Sequence, residues 1–283
     1  MTDRLSQLRE DATHEMAHPS ASVVGAISAL GLQPGMHVLD IGCGTGAHLQ
    51  LFENWVAPDG RVVGLDLEAD EIAVAADLNA GPVARGTVMV REGDLRQLPF
   101  DDGSFDVAWM SAVLHHHDKP THALTEMARV VKPGGMVAVL DGDSDGSFPC
   151  LPWPPEFEHT LRAASLGAQR EQFGGTLPYF FNGYIGRQLP GLLSDAGLIG
   201  TRMRALTHVE SSPLPPHAEA ALCRWFLESF DQRVRDYLAP RDRDRLKSSF
   251  TPTSPDYLPA KTGFFVARTS FLATANVPQP SGR

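Results

Sequence analysis

A doubly wound α/β fold, with a parallel sheet covered by helices on both faces, is the class this 283-residue sequence predicts. Two observations carry that expectation. From about residue 36 to 141, short β-branched or apolar runs alternate with segments of helical periodicity, and the first run ends in the glycine-rich turn "GCGTG" before an amphipathic stretch. The expected strands are "MHVLDI" (36–41), "RVVGLD" (61–66), "GTVMVR" (86–91), "FDVAWM" (105–110) and "MVAVLD" (136–141). Between them, Leu49, Phe52 and Val56 recur at helical spacing, as do Leu124, Met127 and Val131. "KPGGM" (132–136) stops the second of these helices, because proline cannot continue it and glycine tolerates the turn.

After Asp141 the texture changes. Residues 142–185 are rich in Gly, Pro and aromatics, and "GRQLPGLLSDAGL" (186–198) then resumes a helix. A second insertion is expected at about 211–261, where Leu222, Phe226, Phe230, Val234 and Tyr237 form one stripe of an amphipathic helix. "LIGTRMRALTHVE" and "TGFFVART" read as two closing strands, and the tail from about 273 reads as disordered because it has little to bury.

Composition narrows the function. With 42% hydrophobic residues the chain can bury a sizeable core, and 24 basic against 34 acidic residues give a formal charge of −10. That balance argues against nucleic acid and anionic membranes as partners and favours a small hydrophobic molecule. Cys43, Cys150 and Cys223 are widely spaced and contain no CxxC pair, so neither a disulfide framework nor a zinc site is expected. "MTDRLSQLRE" lacks the apolar core of a signal peptide, and no apolar run approaches the roughly 20 residues that cross a bilayer; a cytoplasmic location is expected. Whether the chain forms a homodimer stays open.

The glycine turn fits two cofactors by spacing. Gly42, Gly44 and Ala47 satisfy the dinucleotide pattern G-x-G-x-x-A, with Asp66 about 20 residues on. Against that reading, Asp40 stands just before the turn, where it would repel a pyrophosphate and suit the cationic amino-acid and sulfonium part of S-adenosylmethionine. Asp94, just beyond the third strand, is placed to accept a hydrogen bond from an adenine amino group.

"VLDIGCGTG", Asp66, "EGDLRQLPFDDGSFDVAWMSAVLHH" and "MARVVKPGG", in that order, resemble successive motifs of the class I S-adenosylmethionine-dependent methyltransferases, close to the ubiquinone and menaquinone C-methyltransferases (methyltransferase type 11). The resemblance implies a Rossmann-like seven-stranded sheet, mostly parallel with an antiparallel last strand, which joins the helices on both faces and the helical lid insertions expected from the residues. It implies S-adenosyl-L-methionine as cofactor and S-adenosyl-L-homocysteine as product. Asp40, Gly42 and Gly44 would face the methionine part, Asp66 the ribose, Asp94 and Leu95 the adenine, and Ser111 the amino-acid end; Thr45, Gly46, Leu67 and Gly93 are counted with the cofactor-binding residues. Residues 1–35 would form a helical segment over the cofactor, with His14 and His18 as further candidates, ahead of one methyltransferase domain at 36–283.

Acceptor chemistry points to "SAVLHHHDKP" after the fourth strand. Methyl transfer requires alignment of the acceptor and, for an alcohol, phenol or carbon acid, removal of its proton, for which histidine suits neutral pH. The family pattern "LHHLPDP" is matched by His115 and His116, while His117 and Asp118 replace its Leu-Pro pair. His116 is the first choice as base, His115 the next. No metal is expected: adjacent histidines rarely converge on one ion, and "DGDSDG" (141–146) begins like a calcium loop but has Pro152 at its twelfth position. Magnesium on Asp141 and Asp143 is a lesser alternative.

Phe148, Trp153, Phe157, Phe173, Tyr179, Phe180, Phe181 and Tyr184 read as a lid over a hydrophobic or aromatic small molecule. The expected activity is methylation of oxygen or carbon on such a metabolite, in secondary metabolism or quinone-like biosynthesis. Two alternatives stand beside it: a protein that binds the same cofactor without transferring methyl, such as a cyclase, and an NAD-dependent oxidoreductase.

Overall fold

A computed structural model describes residues 2–143, 146, 148–171 and 182–280. Two helices, α1 (Thr2–Ala17) and α2 (Ala21–Ala29), precede the first strand. The alternating region then runs β1 (His37–Ile41), α3 (Leu49–Val56), β2 (Arg61–Asp66), α4 (Ala69–Leu78), α5 (Ala80–Arg85), β3 (Val88–Glu92), β4 (Phe105–Ser111), α6 (Pro120–Val130) and β5 (Val131–Asp141). Further along come α7 (Pro155–Glu171), α8 (Ile185–Asp195), β6 (Ile199–Ser211), α9 (Pro216–Arg224), α10 (Asp231–Val234), α11 (Pro240–Phe250) and β7 (Phe265–Asn276).

The seven strands form one sheet in the order β3-β2-β1-β4-β5-β7-β6. β1 to β5 are parallel, and β7 runs antiparallel to β5, with Met136 opposite Asn276 and Asp141 opposite Phe271. The mostly parallel sheet with an antiparallel closing strand is therefore observed. Successive strand residues alternate between its faces. Leu39, Ile41, Ala108 and Met110 pack with Leu124, Met127 and Leu189 on one face, while Val38, Val107 and Trp109 pack with Ile27, Phe52 and Val56 on the other.

The chain divides into two compact units. The first comprises 1–143, 184–206 and 270–283; the second comprises 144–183 and 207–269. The second has its own core, in which Phe226 and Phe250 stack at 3.9 Å and Trp153 packs edge-on to both. Leu222, Phe226, Phe230 and Val234 are all fully buried along a continuous helical stretch that passes from α9 through a π-helical segment (Trp225–Phe230) into α10. Among the described residues, no helix is long and apolar enough to cross a membrane.

Two differences from the sequence expectations have clear physical reasons. β7 begins later than "TGFFVART" suggests and continues to Asn276, into the tail expected to be disordered, because Ala273 and Ala275 are small enough to bury against β5. Phe148, Trp153 and Phe157, read as a lid over a ligand, belong to the second unit's own core. Tyr184 lies in the first unit beneath the guanidinium of Arg187, whereas Phe173, Tyr179, Phe180 and Phe181 lie outside the described residues.

Candidate active site

The connections from β1 and β4 leave in opposite directions along the sheet, β1 toward β2 and β4 toward β5. Such a switch point opens a crevice at the carboxyl ends of the strands. A cavity of about 400 Å³ lies there, lined by Asp40 of β1 and Gly42, Cys43, Gly44, Thr45, Ala47 and His48 after it, Ser111 at the end of β4 and Ala112 after it, Glu71 of α4, Val23 of α2, and Leu8, Asp11, Ala12 and Glu15 of α1. Leu8, Asp11, Ala12 and Glu15 follow one another at helical spacing, so one face of α1 closes the cavity. His14 and His18 are exposed, their rings 5.1 Å apart, and neither is a lining residue.

The glycine turn is held by backbone and carboxylate together. The amides of Gly42 and Cys43 donate to the Leu65 carbonyl at 2.7 and 3.1 Å. Gly42 has φ 71°, and a Cβ there would lie 2.3 Å from Val113 Cγ2, so the position excludes any side chain. Asp66 accepts from the Gly44 amide at 2.8 Å and from the Glu68 amide at 3.0 Å. Its two oxygens have lone pairs beyond those bonds, so bracing the turn and accepting ribose hydroxyls are compatible. Gly46 serves packing: a Cβ would meet Ala75 and Asn79 at 2.9 Å, and the buried Asn79 amide donates to the Gly46 carbonyl at 3.1 Å.

The charges lining the cavity are one-sided. Asp11, Glu15, Asp40 and Glu71 are four carboxylates, and neither lysine nor arginine is among the lining residues. Asp40 is 3% exposed and accepts no hydrogen bond from the described residues. Burial pushes its carboxyl up to about 7, with Asp66 and Glu15 adding repulsion that His48 partly offsets. Glu71 is also raised, by burial and by Asp66. His48 Nε2 is paired with Glu15 Oε1 at 3.0 Å. Burial disfavours the His48 cation, yet Glu15 and Asp40 outweigh it and raise its pKa. Burial also drives the Cys43 thiol far up, which rules it out as a nucleophile near neutral pH.

Of the residues expected at the cofactor, Gly46, Asp66, Leu67, Gly93, Asp94 and Leu95 are not among those that line this cavity. Leu67 is 56% exposed, Leu95 is buried in the core, and Gly93 packs on Leu65 while its amide donates to the Asp66 carbonyl at 2.8 Å. Asp94 is gripped by Arg96, whose Nε lies 2.9 Å from Oδ2 and whose hydrogen bond holds the carboxyl below its ordinary range.

At the end of β4, Ala112 takes φ 55°, the only non-glycine residue with positive φ among those described, and lines the cavity beside Ser111. Such a strained conformation at a cavity is typical of functional positions. A short 3₁₀ turn (Leu114–His116) follows, anchored by the buried Leu114. His115 Nδ1 lies 2.8 Å from Oδ1 of Asp141, the last residue of β5, and its amide donates to the other carboxylate oxygen at 3.3 Å. Asp141 is 4% exposed and accepts also from the Gly142 amide at 2.7 Å. His116 is exposed, with its ring 4.0 Å from that of His115. The structure thus joins His115, the second choice from sequence, to a buried carboxylate that only strand pairing brings near. Burial lowers the pKa of His117. Asp143 forms a two-point ion pair with Arg187 at 2.6 Å, and among the described residues no group of three or more His, Cys, Asp or Glu could hold a metal ion.

Sequence reading missed His48, Glu15 and Asp11. The only available signals were the helical spacing of Leu8, Asp11, Ala12 and Glu15, and the position of His48 two residues beyond the last glycine of the turn.

Comparison with known proteins agrees with this geometry. A family described as a methyltransferase domain matches residues 39–139. An uncharacterized 37.1 kDa protein in transposon TN4556 of Streptomyces fradiae is 33% identical over 84% of this chain and 67% of its own length. Demethylmenaquinone methyltransferase of Staphylococcus aureus is 30% identical over 63% of this chain and 74% of its own length. Among solved structures, a methyltransferase-like protein of Bacillus halodurans superposes with a TM-score of 0.56 at 18% identity, covering 92% of this chain and all of that one.

Proposed function

This chain belongs to the S-adenosylmethionine-dependent methyltransferase family, and from that premise we propose that it transfers the methyl group of S-adenosylmethionine to oxygen or carbon of a small hydrophobic or aromatic acceptor. The observation that carries the cofactor assignment is the charge of the cavity. Four carboxylates line it, one of them buried and without a hydrogen-bond donor. A ligand with an ammonium and a sulfonium group matches such a wall, whereas a dinucleotide pyrophosphate would meet repulsion. In this reading Gly42 and Gly44 let the backbone approach the methionine part, Asp66 accepts from the ribose hydroxyls, and Ser111 meets the amino-acid end. When bound, the cofactor supplies an electrophilic methyl group.

His115 is the base in this reading. If Nδ1 donates its proton to Asp141, the basic lone pair is on Nε2, and the buried carboxylate stabilises the imidazolium formed when that nitrogen takes the acceptor's proton. His115 is the choice in this reading because its ring is oriented by the buried carboxylate of Asp141. A quinone-type acceptor is favoured by the relative named demethylmenaquinone methyltransferase.

The test is transfer of labelled methyl from S-adenosylmethionine to a panel of phenols, catechols and reduced naphthoquinones. His115→Ala should lower turnover about 100-fold or more with cofactor affinity intact, and His116→Ala should act more weakly. Full turnover in His115→Ala would remove it as the base. Parallel calorimetric titrations should show binding of S-adenosylmethionine and S-adenosylhomocysteine but not NAD; binding of NAD alone would overturn the cofactor assignment.

A further inference from the structure

The cavity has an excess of acid that the ligand's own carboxylate must also tolerate. Asp11, Glu15, Asp40 and Glu71 suit the cationic groups of an amino acid, but its carboxylate needs a positive partner. Among the lining residues His48 is the one side chain that can carry positive charge. It stands immediately before α3, and its Nε2 is paired with Glu15 Oε1 at 3.0 Å, both side chains lining the cavity. Asp40, 3% exposed, is on the same wall.

We propose that His48 and Glu15 form a two-sided clamp for the amino-acid end of the methyl donor, His48 taking the carboxylate through Nε2 while Glu15, with Asp40, takes the ammonium. The proposal rests on the cofactor assignment above and extends it to two residues outside the glycine motif. A zwitterion between the two side chains would exchange their one ion pair for two charge-assisted bonds. Because Glu15 belongs to α1 and His48 to the turn before α3, the clamp also ties α1 to the bound ligand. The adenosine part of the ligand needs neither residue, so the clamp acts as a specificity device that separates amino-acid-bearing adenosyl ligands from those that lack that end.

The experiment is calorimetric titration of the full chain with S-adenosylmethionine, S-adenosylhomocysteine and 5′-methylthioadenosine, which lacks the amino-acid end. His48→Ala and Glu15→Gln should each weaken the first two by about tenfold or more, one charge-assisted hydrogen bond lost, and leave methylthioadenosine within about twofold. His48→Lys should recover most of the S-adenosylhomocysteine affinity by restoring the positive charge. Unchanged affinity for S-adenosylhomocysteine in both His48→Ala and Glu15→Gln would overturn the clamp, as would equal losses for all three ligands, the mark of a purely structural role. Glu15 is half exposed on α1, so its variant keeps the question open to test should His48→Ala fail to fold. Failure of the unsubstituted protein to bind any of the three would overturn the cofactor assignment instead.

Discussion

Asp40 links cofactor binding to pH. A buried carboxyl raised to about 7 keeps in the folded protein a proton that the unfolded chain, with an ordinary carboxylate near 3.9, has released. Its contribution to stability therefore falls as pH rises from about 4 through about 7, a loss on the order of 1–4 kcal/mol in the ligand-free protein. Asp40→Asn removes that loss, so thermal melts should show a larger gain over the unsubstituted protein at pH 8 than at pH 5. A bound cation favours the ionised carboxylate. Accordingly S-adenosylmethionine should bind more tightly at pH 8 than at pH 6, and S-adenosylhomocysteine, without the sulfonium charge, should respond less; calorimetry at both pH values reads this directly. Asp66 has two tasks, and Asp66→Ala should weaken cofactor binding by about 1–3 kcal/mol through unpaired hydroxyls and the lost Gly44 bond.

The loop between β3 and β4 is pinned by one side chain. Arg129 of α6 donates to the carbonyls of Leu98 and Phe100 and to the carboxylates of Asp102 and Glu126, all between 2.8 and 3.0 Å. The Glu126 carboxylate in turn accepts from the Leu98 amide at 3.0 Å. The loop that carries Asp94 and Leu95 is thus docked on α6 by a network rather than by isolated surface pairs, and Arg129→Ala should cost roughly 1–3 kcal/mol in denaturant unfolding. The glycine turn tolerates even less change. Gly42→Ala would place a methyl group in Val113 and strain a left-handed backbone, so it should lower both the melting temperature and cofactor affinity.

The two units have separate cores, and every lining residue of the cofactor cavity belongs to the first. S-adenosylhomocysteine at about 100 times its dissociation constant should therefore stabilise that unit by about 2.7 kcal/mol. In a protein of this size such a gain should raise the corresponding melting transition by roughly 5–10 °C. If calorimetry resolves two transitions, the ligand should move one and leave the other, and NAD should move neither.

The sequence by itself determined the five parallel strands and the glycine turn, because each depends on local rules, the apolar patterning of a strand and the backbone freedom of Gly42, while the resemblance of its motifs, with carboxylates at the ends of β1 and β2 and just after β3, pointed to the cofactor. It also marked the histidine loop, but His115 and His116 are adjacent and chemically identical, so no local rule separates them. Only the pairing of β4 with β5 carries Asp141, 26 positions further along the chain, to His115. His48 and Glu15 meet for the same kind of reason, since α1 has to pack over the crevice before its acidic face acquires a meaning. The aromatic residues at 148, 153 and 157 show the converse. Their composition resembled a ligand lid, and the structure turned them inward, because a second unit must bury its own apolar surface in order to fold at all.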